Sequence, residues 1–289
     1  MTSPKTSPEA TVKAATPTIG VFDSGFGGLT VLRVLIQRLP HARFAFLGDT
    51  ARLPYGSKSR RTIARYAAQS AQFLVREQGA EFLVIACNTA SALALDAIQE
   101  AALGVPVLGV IAPGATAARA ASRTGDVLVI ATEATVQSHA YAAACRAQGL
   151  RALEKACPLL VPLVEEGWTD HPVTAEVIRI YLEELTTEAA AAGLNPDTLV
   201  LGCTHYPLLR PLLERIIARA VPAGIRVIDS AEAAAEAALR LFGQRETEER
   251  SPAAQVRCFA TDSVDKFERL GSRFLGRPVG KVELVDLGG

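Results

Sequence analysis

The sequence predicts an α/β protein of two similar lobes, each a mostly parallel sheet flanked by helices. Three observations carry this. Short apolar runs alternate with segments of helical apolar spacing, the pattern of a parallel sheet covered on both faces. Two strand ends match in kind, FLVIACNTA (82–90) and TLVLGCTHY (198–206), as do VFDSG (21–25) and VIDSA (227–231). Cys87 and Cys203 in the first pair lie about one domain length apart. The count of β-α units would also suit a (β/α)8 barrel. The duplicated cysteine ends favour two lobes.

In order along the chain, residues 1–17 lack the apolar run of a signal peptide and read as a disordered tail. TIGVFD (18–23) is a strand ending in an acid. Gly25, Gly27 and Gly28 follow, then a helix over 29–39. RFAFLGD (43–49) is a strand, 62–79 a helix closed by glycine, EFLVIA (81–86) a strand, 91–103 a helix and VPVLGV (105–110) a strand. The pattern restarts with a helix over 114–122, strand DVLVIA (126–131) and a helix over 136–149. PLLVPLVE (158–165) reads as a strand, 174–193 as a long helix, TLVLG (198–202) as a strand, 207–221 as a helix and IRVID (225–229) as a strand. A helix over 231–243, the polar break QRETEERSPAAQ (244–255), strand VRCFAT (256–261), a helix from Asp265 and strand VELVDL (282–287) complete the chain. The first lobe is expected to hold 18–113 and 225–289, the second 114–224.

Lys plus Arg and Asp plus Glu each number 30, so the formal charge is zero and no nucleic-acid partner is indicated. The five cysteines are odd in number and widely spaced, with no CxxC pair. That argues against a disulfide framework and a structural zinc site. No stretch reaches the roughly 18 apolar residues of a membrane span, and a cytoplasmic protein is expected. No oligomeric state follows from the sequence; a homodimer is one arrangement it allows.

In open α/β sheets ligands sit beyond the C-terminal strand ends, where the next helix offers free N–H groups and a positive end. Asp23, Ser24, Asp49, Thr50, Cys87, Asn88, Thr89, Thr132, Thr135, Cys203, Thr204 and His205 fall at such ends. One cysteine there is often only a small buried hydrophobe. Two matched ones, each before a helix start, point to working thiols, and that position is expected to lower their pKa. Cys145, Cys157 and Cys258 lack this context and read as inert. SGFGG (24–28) meets neither the dinucleotide fingerprint nor the P-loop. Its glycines either bring backbone close to a small ligand or make a tight turn. Asp23 is a helix cap or a proton handler for a neighbouring thiol. DTARLPYGSKS (49–59) is an ordinary loop or a source of donors for a carboxylate. His205 is close enough in sequence to pair with Cys203, and one of Glu165 and Glu166 is placed to reach the site. His139 and His171 look structural, and four histidines without clustered carboxylates argue against a metal.

GVFDSGFGGLTV (20–31), FLGDTARLPYG (46–56), ACNTAS (86–91) and LGCTHYPLL (201–209) resemble, in order, the signature segments of bacterial glutamate racemases. The resemblance covers nearly all of 19–229. It implies two α/β lobes and interconversion of L- and D-glutamate without pyridoxal phosphate or metal, supplying D-glutamate for peptidoglycan. On the family pattern Cys87 and Cys203 are the two acid/base residues. Asp23 assists Cys87, while Glu166 and His205 assist Cys203. Asp23, Ser24, Tyr55, Gly56, Asn88, Thr89, Thr204 and His205 surround the substrate, with Pro54, Ser57 and Thr132 nearby. Thr132 and Thr135 are expected near the substrate carboxylate. Two departures are Ala131, where relatives usually have glycine, and Phe26, where a small aliphatic residue is common. Phe26 either narrows the entrance or packs on the first helix.

Racemisation needs a proton removed from one face of Cα and one returned to the other, which two thiols on opposite faces satisfy. The resemblance assigns Cys87 as base toward D-glutamate and Cys203 toward L-glutamate. No Schiff-base lysine is evident, so prearranged donors must stabilise the developing charge. The rival readings are a racemase of aspartate or a related amino acid, a cysteine-dependent hydrolase and a non-catalytic amino-acid-binding protein.

Overall fold

A computed structural model describes residues 17–220, 224–242 and 254–288. The expected tail, apart from Pro17, and 244–253 of the polar break lie outside the described residues. The first part of the chain forms β1 (Thr18–Asp23), α1 (Leu29–Arg38), β2 (Arg43–Gly48), α2 (Arg60–Arg76), β3 (Phe82–Ile85), α3 (Asn88–Leu93), α4 (Leu95–Ala101) and β4 (Val107–Gly109). There follow α5 (Ile111–Ala121), β5 (Asp126–Ala131), α6 (Glu133–Gln137), α7 (Ala140–Ala147), β6 (Arg151–Ala156), α8 (Leu160–Glu165), α9 (Pro172–Ala191), β7 (Thr198–Gly202), α10 (Arg210–Ala220) and β8 (Arg226–Asp229). The last elements are α11 (Ser230–Phe242), β9 (Gln255–Ala260), α12 (Val264–Leu275) and β10 (Val282–Leu284).

The strands make two separate sheets, ordered β10-β9-β2-β1-β3-β4 and β6-β5-β7-β8. Every pairing is parallel. Alternation along the strands divides their side chains between two faces. In the larger sheet Ile19, Val21, Phe44, Phe46 and Val84 enter a central core, while Phe22, Leu47, Leu83 and Ile85 enter an outer one. In the smaller sheet Leu128, Ile130, Leu199 and Leu201 join the same central core, and Val127, Val129 and Val200 face outward. The two lobes therefore share their largest apolar cluster. Helix α11 packs on α1 of one lobe and α5 of the other. Among the described residues no helix is long and apolar enough to cross a membrane.

Three expectations are corrected. PLLVPLVE is not a strand: 160–165 is the short helix α8. Its prolines explain this, since Pro162 sits in the first helical turn, where a missing N–H costs nothing, and would interrupt a sheet ladder. The strand of this region lies earlier, at RALEKA (151–156), on an edge of the smaller sheet. Finally, 225–229 does not return the chain to the first lobe. Strand β8 pairs with β7 in the smaller sheet, and the return comes only with β9, which pairs with β2. The predicted helix over 91–103 is also divided, because Ala94 leaves helical geometry between α3 and α4.

Candidate active site

The C-terminal ends of β1, β3, β5 and β7 open onto one cavity of about 290 Å³. That lies at the small end of ligand pockets, which run from about 300 to 1,000 Å³. Ser24 follows β1; Cys87, Asn88 and Thr89 follow β3; Thr132 follows β5; Cys203, Thr204 and His205 follow β7; all line it. Pro54, Tyr55, Gly56 and Ser57 form another wall. The two matched thiols thus come from different sheets into the same space.

Cys87 caps the start of α3. Its Sγ accepts from the Ala90 N–H at 3.4 Å and donates to Ser24 Oγ at 3.4 Å. The helix start does not lower its pKa as the sequence predicts. Burial first, then the nearby Asp23 carboxyl, push the Cys87 thiol up to about 12, outweighing the donors from Ser24 and Ala90. Asp23 lies behind the cavity wall rather than on it. Its Oδ2 accepts from the Gly25 N–H at 3.0 Å, and burial raises its pKa despite the opposing charge of His205.

On the other side, Cys203 Sγ lies 3.9 Å from His205 Nδ1, and His205 Nε2 lies 3.3 Å from Glu165 Oε1. Burial works against a charged imidazole. The bonds to Cys203 and Glu165 prevail and raise His205 to about 10. Of the two adjacent acids Glu165 lines the cavity, whereas Glu166 is exposed just beyond α8 and does not line it. Lys266 approaches the outer oxygen of Glu165 at 3.8 Å.

The threonines form a hydroxyl triangle. Thr89 lies 3.0 Å from Thr132 and 3.2 Å from Thr135, and those two are 2.9 Å apart. Thr132 lines the cavity; Thr135 is fully buried behind it. Asp49 does not touch the cavity. It is fully buried and accepts from Arg52 Nε at 2.8 Å, Tyr55 Oη at 2.5 Å and Thr261 Oγ1 at 2.9 Å. Tyr55 therefore spends its hydroxyl on the loop anchor, and Thr50 bonds the Asp262 carbonyl at 2.5 Å.

Within SGFGG, Gly27 serves a close approach between lobes. A Cβ on Gly27 would lie 2.4 Å from Thr204 Oγ1 and 2.7 Å from the His205 ring. Beside it, Thr30 Oγ1 donates to the Thr204 carbonyl at 3.1 Å. His171 caps α9 and His139 pairs with Glu154, both away from the cavity. Among the described residues no group of three or more His, Cys, Asp or Glu side chains could hold a metal.

Comparison with known proteins identifies the family. The Asp/Glu/Hydantoin racemase family matches residues 20–238. The glutamate racemase of Koribacter versatilis is 53% identical over 295 residues, covering 94% of this chain and 98% of that one. The chain belongs to the glutamate racemase family. The solved glutamate racemase of Francisella tularensis in complex with D-glutamate superposes with a TM-score of 0.84 at 35% identity, covering 94% of this chain and 98% of that one. The Thermus thermophilus glutamate racemase in complex with β-chloro-D-alanine gives 0.81 at 40% identity, covering 94% and 97%.

Two features of this glutamate racemase family member escaped the sequence. Glu133 lines the cavity at the start of α6, and its one signal was its place beside Thr132. Pro158, Val161 and Pro162 form an apolar wall hidden by the misread strand. Phe26 is buried, borders the cavity and packs against His205 and Phe274, with ring centroids at 6.1 and 5.5 Å. It encloses the imidazole as well as narrowing the space.

Proposed function

We propose that this protein interconverts L- and D-glutamate by proton transfer between Cα and two thiols, Cys87 and Cys203. One observation supports this above others: two buried thiols from different sheets border one small cavity. In one direction a thiolate takes the Cα proton, the electron pair stays on the substrate, and the opposite thiol gives its proton to the other face. The starting thiolate ends as thiol and its partner as thiolate, so the reverse reaction begins from the state the forward one leaves. Neither pyridoxal phosphate nor a metal takes part.

The charge that develops at Cα and its carboxylate calls for donors. Asn88 Nδ2 is buried and has no hydrogen-bond partner among the described residues, and neither has Asp23 Oδ1. A buried polar group left unpaired costs free energy. An amino acid supplies what Asn88 lacks, since its carboxylate accepts from that amide, while Asp23 stays behind the cavity wall. The hydroxyl triangle and the Tyr55–Ser57 wall are assigned to the remaining carboxylate. His205, held by Glu165, assists Cys203; Asp23 assists Cys87. The product is the D-glutamate drawn on for peptidoglycan, made in the cytoplasm.

Cys203, His205 and Glu165 alone would suit a thiol hydrolase, but Cys87 would then have no task. Reaction in deuterated water separates the readings. Racemisation by two thiols labels the product enantiomer at Cα while the recovered substrate stays unlabelled at early times. Absence of both racemisation and Cα exchange would defeat the proposal.

A further inference from the structure

Tyr141 belongs to none of the motifs above, yet it touches both halves of the site. It is fully buried on α7 of the second lobe. Its hydroxyl reaches Asn88 Oδ1 at 2.6 Å, next to Cys87 and on the first lobe. Its ring is slotted between two glycines. A Cβ on Gly202, the residue before Cys203, would lie 3.0 Å from Tyr141 Cε2, and one on Gly114 would lie 3.3 Å from Cε1. No larger residue at those positions would leave the ring where it is.

We propose that Tyr141 is a positioning residue for the racemisation, acting through Asn88. The reasoning rests on the function proposed above. Burial pushes the Tyr141 pKa well above its ordinary value, so the phenol keeps its proton. A phenol donating to an amide must meet the oxygen, which turns the NH2 group away. Asn88 borders the cavity, and its Nδ2 is the atom left without a partner among the described residues. The bond from the phenol to Asn88 thus sets which end of the amide is offered to the substrate. Because it spans the lobes, it also ties that orientation to the seating of Cys203 through Gly202. Ser230 Oγ also lies within hydrogen-bonding reach of the phenol; it gives its own proton to the Leu201 carbonyl at 2.9 Å, so it offers Tyr141 a second acceptor and no donor.

The test is a four-enzyme cycle on glutamate: wild type, Tyr141→Phe, Asn88→Ala and the double variant. Hydrogen bonds to charged groups set the scale, and loss of one costs roughly tenfold or more in kcat/KM. Tyr141→Phe should lose about that factor, with kcat falling more than KM rises, because the amide acts where charge develops. Asn88→Ala should lose at least as much, and Tyr141→Phe should add nothing to it. A purely structural tyrosine would lower kcat/KM by the same factor in both backgrounds, and that additive result overturns the proposal, as does an unaltered kcat/KM in Tyr141→Phe. Should Tyr141→Phe fail to fold, wild-type protein still decides. The Asn88 side-chain amide NMR signal, identified by its loss in Asn88→Ala, must shift when D-glutamate binds, and no shift means the NH2 group does not face the substrate. A wild type that neither racemises glutamate nor exchanges its Cα proton defeats the function itself, a result distinct from each of these.

Discussion

His205 reaches Glu165 through Nε2 at 3.3 Å while its Nδ1 faces Cys203 at 3.9 Å. The imidazole thus links a carboxylate at the cavity wall to one of the two thiols. Glu165→Gln removes the charge that favours imidazolium and should lower kcat/KM by about tenfold or more, the scale of a charge-assisted bond. Glu166→Gln should match wild type, because that side chain is exposed. Steady-state kinetics on both enantiomers, run side by side, checks the contrast.

The two thiols make the strongest prediction. Cys87→Ala and Cys203→Ala should each lower racemisation by about 10²–10⁴-fold, the range of general acid–base catalysis, with the melting temperature little altered. Polarimetry from each enantiomer reads the loss. Near-normal racemisation in either variant would remove the two-thiol assignment.

Stability should fall as pH rises above neutrality. The folded state holds His205 at about 10 against an ordinary 6.5, so it binds the proton more tightly than the unfolded chain does. The resulting stabilisation is complete below pH 6.5 and is lost as pH climbs through 10. Cys87, raised from 9.0 to about 12, has the same sign in the window from pH 9 to 12. Thermal melts should show a declining melting temperature from pH 7 to 10, and His205→Asn should flatten that slope.

Asp49 holds the loop that forms one cavity wall. Its carboxylate meets the largely buried charge of Arg52 and the hydroxyls of Tyr55 and Thr261. Asp49→Ala leaves that guanidinium without its ion partner, and breaking a buried pair in this way costs about 3–5 kcal/mol. Urea unfolding should register the loss. A raised KM should accompany it, since Tyr55, Gly56 and Ser57 lose their anchor.

The sheet cores were legible because their strands are continuous apolar runs and their ends carry unusual polar residues. RALEKA was not, because an edge strand with alternating charge offers no such run. PLLVPLVE misled for the opposite reason: its apolar residues face the cavity wall and central core from a helix too short to display helical spacing. That error also left the choice between Glu165 and Glu166 open, since it depends on where each stands relative to α8. VIDSA matched VFDSG faithfully, but the match fixed the strand end and not the sheet. Tyr141 carried no motif at all; its place depends on glycines far away in sequence.

Among the described residues no ladder joins the larger sheet to the smaller one. Around the cavity the seam is crossed by side-chain bonds: Thr30 to the Thr204 carbonyl, Thr89 to Thr132 and Thr135, and Tyr141 to Asn88. Hydroxyl partners of this kind are readily replaced by water, whereas a strand pairing is not. The molecule resembles a book with stiff covers and a soft clasp. Admitting a guest at the cavity requires a handful of hydroxyls to change hands, while the shared core keeps the two covers bound along the spine, each with its own sulfur.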